Sequence, residues 1–232
     1  MTLKALIFDV DGTLCETEHL HLRAFNQAFQ EAHLDWHWDA ELYTELLKTT
    51  GGKERMRRYI NEVVGQKPGA WADEIEKIHA RKTAIYKQLV SEGGLALRPG
   101  MAALFKEAQD AGLKLAIATT TSAENVDILC RSLWNKGMAD MFVATAAGDE
   151  VRLKKPTPDV FTLALERLGL PPENCIAFED SRNGLLAALG ANLTTIVVPS
   201  AYTKEDDFSK AHLLCDSYEQ INIQNLAGFV AH

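Results

Sequence analysis

The chain has 232 residues, of which 47% are hydrophobic and 24% charged, so it can bury a sizeable core and is expected to be globular. Its formal net charge of −8 argues against the broad cationic surface with which proteins bind DNA or RNA. No apolar run approaches the ~20 residues of a membrane span, and charged residues appear too early for a signal peptide. We therefore expect a cytoplasmic protein that binds neither nucleic acid nor membrane.

The first part of the chain predicts one strand followed by a helical region. The apolar run 3–9 is typical of a strand buried on both faces, and Asp11-Gly12-Thr13 predicts a turn after it. From residue 17 to about residue 94, apolar residues recur at helical spacing, interrupted by Gly-Gly and Pro-Gly pairs. This region predicts a bundle of about four helices.

Beyond Arg98, helix and strand patterns alternate. The predicted helices cover residues 101–111, 123–134, 158–168 and 183–188. The predicted strands cover residues 114–119, 141–144, 175–178, 194–198 and 212–215. Such repeated units predict an α/β fold with a doubly wound, mainly parallel sheet, and a helical insertion after its first strand.

Polar residues follow four of the predicted strands at the point where each strand ends. They are Asp9 and Asp11 after the first strand, Thr119 to Ser122 after the second, Lys155 in the loop after the third, and Glu179 and Asp180 after the fourth. The carboxyl ends of parallel strands meet at one edge of a sheet, where α/β proteins bind ligands. We therefore expect four carboxylates, a hydroxyl cluster and a lysine to gather there.

The paired aspartates at the end of the first strand suit covalent phosphoryl transfer. Asp9 can attack phosphorus and become an acyl phosphate, which splits one difficult step into two easier ones. Asp11 can protonate the leaving alcohol and later deprotonate the attacking water, work that typically contributes ~10²–10⁴-fold in rate. The pattern predicts a nucleophile and a proton shuttle two residues apart.

The remaining residues suit a phosphate and its metal ion. Asp9, Glu179 and Asp180 offer the hard oxygen ligands that Mg²⁺ prefers. Lys155 supplies fixed positive charge that stabilises the transferring phosphoryl group. The hydroxyl of Thr119 and the backbone amides that follow it can donate to the phosphoryl oxygens. Those following residues are Thr120, Thr121 and Ser122.

Each motif taken alone has an ordinary structural explanation. The segment from Asp9 to Gly12 is a common turn, and an EF-hand is ruled out because Leu20 stands where its bidentate glutamate should be. The threonines can be a capped strand end, the lysine pair a solvated surface, and Glu179 and Asp180 acids at a helix N-terminus. A site is favoured because the motifs occur together, each at the end of a different strand.

The order of these motifs resembles the haloacid dehalogenase superfamily over nearly the whole chain. The matching segments are Phe8–Leu14, Ala118–Thr120, Lys155–Pro156 and Phe178–Ser181. The resemblance implies a phosphatase with a Rossmann-like core, Asp9 as nucleophile, Asp11 as acid/base, and Thr119 and Lys155 as phosphoryl-binding residues. It also implies one Mg²⁺ cofactor, held by Asp9, the Asp11 backbone carbonyl, Glu179 and Asp180.

The resemblance also implies a division into two domains. The family carries a helical cap, or lid, between its first and second motifs, which corresponds here to residues 16–96. Residues 1–15 and 97–232 then form the catalytic core. Dehalogenase members lack the second aspartate, so the presence of Asp11 favours phosphoryl transfer.

Two segments of the predicted cap carry polar residues of interest. His21 shares a helix face with Thr17 and Glu18, although a lone histidine is more often structural. The second segment is a Gly-Gly turn followed by Lys53 and Arg55, which is either a plain turn or an anion site at a helix start.

These segments, with residues 118–122, resemble the CbbY branch of the superfamily, which are sugar bisphosphatases linked to carbon fixation. That resemblance implies hydrolysis of a small phosphorylated sugar such as xylulose 1,5-bisphosphate. It implies contacts to the sugar or its distal phosphate from Glu18, His21, Gly51, Gly52, Lys53 and Arg55, of which Lys53 is the first choice and Arg55 the last. The alternatives are a β-phosphoglucomutase-type phosphomutase, which shares the cap and both aspartates, and a catalytically idle binding module. A monomer is expected, since a lid must move.

Overall fold

The computed structural model describes residues 2–230. The chain divides into two compact units, which we call the core unit and the cap unit. The core unit combines the residues up to Glu16 with those from Leu95 onward, and the cap unit is Thr17–Gly94. The cap unit thus begins one residue later and ends two residues earlier than the expected segment 16–96.

The core unit is built on a parallel six-stranded sheet. Its strands are β1 (Ala5–Phe8), β2 (Lys114–Ala118), β3 (Ala144–Ala146), β4 (Cys175–Glu179), β5 (Thr194–Val197) and β6 (Leu213–Leu214). The strand order is β3-β2-β1-β4-β5-β6, and β1 pairs with β2 on one side and with β4 on the other. The chain therefore winds outward in both directions from β1, which confirms the predicted doubly wound α/β fold.

The cap unit is helical. Its helices are α1 (Glu18–Glu31), α2 (Ala40–Leu47), α3 (Gly52–Tyr59) and α4 (Ala72–Ser91), with a π-helical turn at Ile60–Val64 and a 3₁₀ turn at Pro68–Trp71. The helices α1 and α4 pack against each other. Aromatic rings fill the interior, where Phe25 and Phe29 of α1 contact the buried Trp38 with centroids 4.6 and 4.9 Å away.

The helices of the core unit cover the sheet. They are α5 (Met101–Asp110), α6 (Ala123–Trp134), α7 (Met138–Met141), α8 (Asp159–Leu168), α9 (Arg182–Gly190) and α10 (Ile223–Ala227). Short 3₁₀ turns lie at Pro172–Asn174, Tyr218–Gln220 and Gly228–Val230. Alanines on the central strands, such as Ala116 and Ala177, pack with Val160 and Phe161 of α8 in one fully buried cluster. No helix within residues 2–230 combines the length and hydropathy of a bilayer span.

The third strand does not lie where the sequence pattern places it. The predicted strand was 141–144, but residues 138–141 form α7 and the strand is Ala144–Ala146. Side chains that cap the helix explain the difference, because Asp127 accepts from the Met138 amide at 2.9 Å and Asp140 accepts from the Gly137 amide at 3.0 Å. Phe142, in the apolar run at 141–144, is buried next to this turn, and its ring contacts that of Phe105. The run is therefore apolar because of this packing and not because all of it forms a strand.

Candidate active site

Lys155 joins the ends of three neighbouring strands. Its Nζ donates to Asp9 Oδ1 at 2.6 Å, to Glu179 Oε1 at 2.6 Å and to the Ala118 carbonyl oxygen at 2.9 Å. These partners lie at the carboxyl ends of β1, β4 and β2, which are adjacent in the sheet. An ammonium group has three donor hydrogens, so all of them are used. The sheet topology therefore brings together residues that are 146 and 24 positions from Lys155 in sequence.

Three buried carboxylates form a cluster that includes both acidic partners of this lysine. Asp9, Glu179 and Asp180 are 6%, 1% and 4% exposed, and one oxygen from each lies within 4.8 Å of the others. Lys155 forms ion pairs with Asp9 and Glu179 but carries a single charge, so the three carboxylates together hold more charge than this lysine can balance. A divalent cation with oxygen ligands would balance that excess. The donor set therefore fits the predicted Mg²⁺, for which Asp9 and Asp180 have suitable oxygens.

The ionisation of Asp9 depends on these neighbours. Burial raises the pKa of Asp9 to about 8, in spite of the opposing effect of Lys155, and the negative charge of Glu179 adds to the rise. Burial alone would lower the pKa of Lys155, but the charges of Asp9 and Glu179 outweigh it and hold the pKa above its usual range. A nucleophilic Asp9 must be ionised, so the site benefits from a further positive charge.

Asp11 lies in the turn that follows β1 and is half-buried, in contrast to Asp9. The Gly12 amide closes the turn by donating to the Cys15 carbonyl at 2.8 Å. Gly12 has φ +86°, and a Cβ there would lie 2.2 Å from Asp180 Oδ2. The position therefore requires glycine both for its backbone and for the room that Asp180 needs. Partial exposure suits Asp11 for exchanging protons.

The hydroxyl-rich loop after β2 is held by backbone and side-chain bonds. Thr119 is buried, and its hydroxyl accepts from the Thr121 amide at 3.3 Å. Ser122 caps α6 by accepting from the Asn125 amide at 3.4 Å. Asn125, which the sequence reasoning missed, donates from Nδ2 to the Thr121 hydroxyl at 3.0 Å, and Thr120 lies half-buried between these residues. These bonds fix the loop that was predicted to bind the phosphoryl group.

A polar cluster in the cap unit includes a residue that the sequence reasoning missed. The hydroxyl of Tyr43 donates to Glu18 Oε2 at 2.6 Å and accepts from Arg55 Nη1 at 3.0 Å. Arg55 is 9% exposed, its guanidinium lies 5.2 Å from the Tyr43 ring centroid, and its Nε has no hydrogen-bond partner. We call Glu18, Tyr43 and Arg55 the tyrosine cluster. It presents a buried cation with an unused donor.

A second pair in the cap unit joins His21 to Lys82, which was also missed. Lys82 Nζ lies 2.6 Å from His21 Nδ1, and both side chains are buried. The His21 ring stacks on Tyr86 with centroids 3.9 Å apart, while Lys82 lies 4.8 Å above the Phe25 ring. His21 and Lys82 are 61 residues apart on α1 and α4, so no local spacing could have shown their contact.

In the predicted glycine turn of the cap unit, each of the two glycines is required for a different reason. Gly51 has φ +100°, which only glycine adopts readily, while a Cβ at Gly52 would meet the His79 ring at 2.6 Å. Lys53 follows on α3 and forms an ion pair with Glu76, and its side chain is 36% exposed. Lys53 thus lies at the surface of the cap unit, whereas Arg55 is buried within it.

Comparison with known proteins identifies the relatives of this chain. A family model described as haloacid dehalogenase-like hydrolase matches residues 3–192. The protein CbbY of Cereibacter sphaeroides is 49% identical over 226 residues, which cover 97% of this chain and 96% of that protein.

Solved structures of CbbY from Rhodobacter sphaeroides have the same fold. One, in complex with phosphate, has a TM-score of 0.88 at 50% identity and covers 94% of this chain and 96% of that one. Another, a variant in complex with xylulose 1,5-bisphosphate, has a TM-score of 0.87 at 48% identity with the same coverage.

Proposed function

The chain belongs to the haloacid dehalogenase-like hydrolases and is a phosphatase, and we propose that it hydrolyses a sugar bisphosphate, with Mg²⁺, through an aspartyl-phosphate on Asp9. The observation that carries the proposal is the contact of Lys155 with both Asp9 and Glu179 beside Asp180, at the ends of adjacent strands. This arrangement combines a buried nucleophile, a fixed cation and oxygen ligands for a metal.

In the proposed reaction, Asp9 attacks phosphorus and Asp11 donates a proton to the departing alkoxide. Asp11 then takes a proton from water as the water attacks the acyl phosphate and frees Asp9. Lys155 holds Asp9 in place and stabilises the phosphoryl oxygens. Bound Mg²⁺ would neutralise charge on the carboxylates and the phosphate. Thr119 and the amides of Thr120, Thr121 and Ser122 donate to the phosphoryl oxygens.

We propose that the cap unit recognises the rest of the substrate. In the tyrosine cluster, Arg55 has a buried guanidinium with an unused Nε donor, which suits a phosphate, and Glu18 can accept from a sugar hydroxyl. Lys53 is a weaker choice for the distal phosphate because it is partly exposed and already paired with Glu76. Contacts from His21, Gly51 and Gly52 remain part of the proposal. The relative solved with xylulose 1,5-bisphosphate supports a bisphosphate as substrate.

The test is a product assay combined with detection of the intermediate. Purified enzyme with Mg²⁺ and xylulose 1,5-bisphosphate labelled at the reacting phosphate should release one inorganic phosphate per turnover. Rapid acid quenching should trap label on the protein, and hydroxylamine should remove it, as expected for an acyl phosphate. Phosphate release without protein-bound label would argue against the covalent route.

A phosphomutase is the alternative that the same residues allow. Such an enzyme returns the phosphoryl group to a sugar instead of water, and would convert β-glucose 1-phosphate to glucose 6-phosphate when primed with a bisphosphate. We expect no such conversion. A cytoplasmic monomer that binds no nucleic acid remains the prediction for the cellular context.

A further inference from the structure

The loop that follows β5 makes close contact with Asp180. We call residues 198–203 the β5 loop. The hydroxyl of Thr203 donates to the Asp180 carbonyl oxygen at 2.6 Å and lies 3.5 Å from Asp180 Oδ2. The same hydroxyl oxygen accepts from the Ser200 amide at 2.9 Å and lies 3.0 Å from Ser200 Oγ. Thr203 therefore bonds the β5 loop to the backbone of Asp180 and lies beside its carboxylate.

Arg98 fixes the β5 loop to the turn that carries Asp11. Its Nη1 donates to the Gly12 carbonyl at 2.6 Å and to the Val198 carbonyl at 2.7 Å, and its Nη2 donates to the Pro199 carbonyl at 2.7 Å. The side chain is 9% exposed and the guanidinium lies 5.3 Å from the centroid of the Tyr218 ring. A planar guanidinium holds its donors in a rigid fork that matches these three carbonyls, whereas a lysine ammonium is a compact charge on a flexible stem.

Asp180 lies between the two segments that Arg98 joins. A Cβ built on Gly12 would lie 2.2 Å from Asp180 Oδ2 and 3.1 Å from the Cβ of Ser200. The carboxylate is thus confined by the turn on one side and by the β5 loop on the other. Any drift of either segment would move this carboxylate relative to Asp9.

We propose that Arg98 and Thr203 are positioning residues that hold Asp180 in the geometry needed for a divalent cation. Neither ligates the ion; Arg98 holds the two segments together, and Thr203 orients Asp180. This inference rests on the metal dependence in the proposed function. Residues that orient a metal ligand typically contribute 10- to 100-fold in affinity.

The decisive variants change one hydroxyl. Thr203→Val removes the donor with little change in volume, and Thr203→Ser restores it. Thr195→Val is the control, because Thr195 is a buried threonine of the core unit whose hydroxyl donates to a backbone carbonyl, that of Leu193 at 3.0 Å, and not to Asp180. Binding of Mn²⁺ is measured on each protein from the electron paramagnetic resonance signal of free Mn²⁺, with Mg²⁺ as competitor and without substrate.

We expect Thr203→Val to raise the dissociation constant for Mn²⁺ at least about tenfold, and Thr203→Ser and Thr195→Val to leave it within about threefold. Arg98→Lys should raise it at least as much as Thr203→Val. Affinity in Thr203→Val equal to that of the wild type, or a loss of equal size in Thr195→Val, would overturn the inference. If the wild-type protein binds neither ion, the metal dependence in the proposed function is wrong, and the inference fails with it. That outcome differs from the first, in which the wild type binds Mn²⁺ and Thr203→Val binds it equally well.

Discussion

The two polar clusters of this protein are assembled in different ways. In the core unit, Asp9 and Glu179 lie at the ends of the paired strands β1 and β4, so the backbone ladder fixes their separation, and Lys155 reaches both from the loop after β3. In the cap unit, Glu18 and Tyr43 are 25 residues apart on two helices and meet only through their side chains. The first cluster is a property of the sheet topology. The second depends on how particular helices pack.

The difference corresponds to two tasks. A sheet edge holds reacting groups within the tight tolerance that bond making requires. A cluster made of side chains on helices can change partners with few changes in sequence, which suits the choice of substrate. We therefore expect changes in the core unit to affect every phosphate ester, and changes in the cap unit to affect sugar bisphosphates selectively.

The largest effect should follow from Asp9→Asn. Because the amide cannot form an acyl phosphate, turnover of any phosphate ester should fall at least about 10⁴-fold. The measurement is phosphate release from both xylulose 1,5-bisphosphate and para-nitrophenyl phosphate, with circular dichroism to check folding. A variant that keeps activity on the small ester would contradict the role of Asp9 as nucleophile and the expectation that changes in the core unit affect every phosphate ester.

Removal of the metal should produce the next largest effect. Chelation with EDTA should lower kcat for both substrates by about 10²–10³-fold, because three buried carboxylates would face the phosphate with Lys155 as the principal counter-charge. Added Mg²⁺ should restore activity fully. The prediction is wrong if dialysed protein free of divalent ions works at the original rate.

Substitution in the tyrosine cluster should separate the substrates. Arg55→Ala should lower kcat/KM for xylulose 1,5-bisphosphate by about 10- to 100-fold, the usual effect of losing a hydrogen bond to a charged group. Hydrolysis of para-nitrophenyl phosphate should stay within about threefold, since that ester has no second phosphate.

Lys53→Ala is the matched control for Arg55→Ala, since it also removes one cation from α3. Lys53 is partly exposed and paired with Glu76, so its loss should lower kcat/KM for the bisphosphate less than about fivefold. If Lys53→Ala costs more than Arg55→Ala, the distal phosphate binds at the surface of the cap unit and the tyrosine cluster has another role.

The smallest effect concerns the cysteines, which all belong to the core unit and are buried. Burial raises the pKa of Cys130 to about 12 and that of Cys175 to about 11, so both remain protonated when folded. Unfolded thiols ionise above about pH 8.5. The free energy of unfolding should therefore be unaffected by these groups below that pH and fall as pH rises above it.

Urea unfolding at pH 7.5 and pH 9.5, followed by circular dichroism, measures this fall. Iodoacetamide should label no cysteine of the native protein within minutes at pH 7.5, but should label the urea-unfolded chain. A thiol that reacts rapidly in the native protein would show that the core unit opens locally. The core unit would then not hold its side chains as rigidly as its sheet topology suggests.

The sequence predicted the core better than the cap for a physical reason. Strand ends can be read from short apolar runs, and parallel pairing then brings Asp9, Thr119, Lys155 and Glu179 to one edge wherever the helices lie. The strand predicted at 141–144 was wrong, because capping of α7 by Asp127 competes with strand formation and an apolar run alone does not reveal such a cap.

In the cap, the pattern predicted the helices but not their partners. Tyr43 and Lys82 lie on the buried faces of α2 and α4. Only the packing of the helices shows that Tyr43 contacts Glu18 and that Lys82 contacts His21. The preference for Lys53 over Arg55 came from resemblance; burial of Arg55 and the ion pair of Lys53 favour the opposite order.

The central position of β1 also affects how the chain folds during synthesis. Ala5 pairs with Lys114 and with Cys175, so the strand made first needs partners that emerge more than a hundred residues later. The contiguous helical segment Thr17–Gly94 leaves the ribosome complete well before β4 and can form local contacts at once, whereas the sheet must close long loops. Until residue 179 has emerged, one edge of β1 has no strand beside it, and a nascent chain stalled before that point would expose the unpaired backbone groups of this apolar strand to other chains.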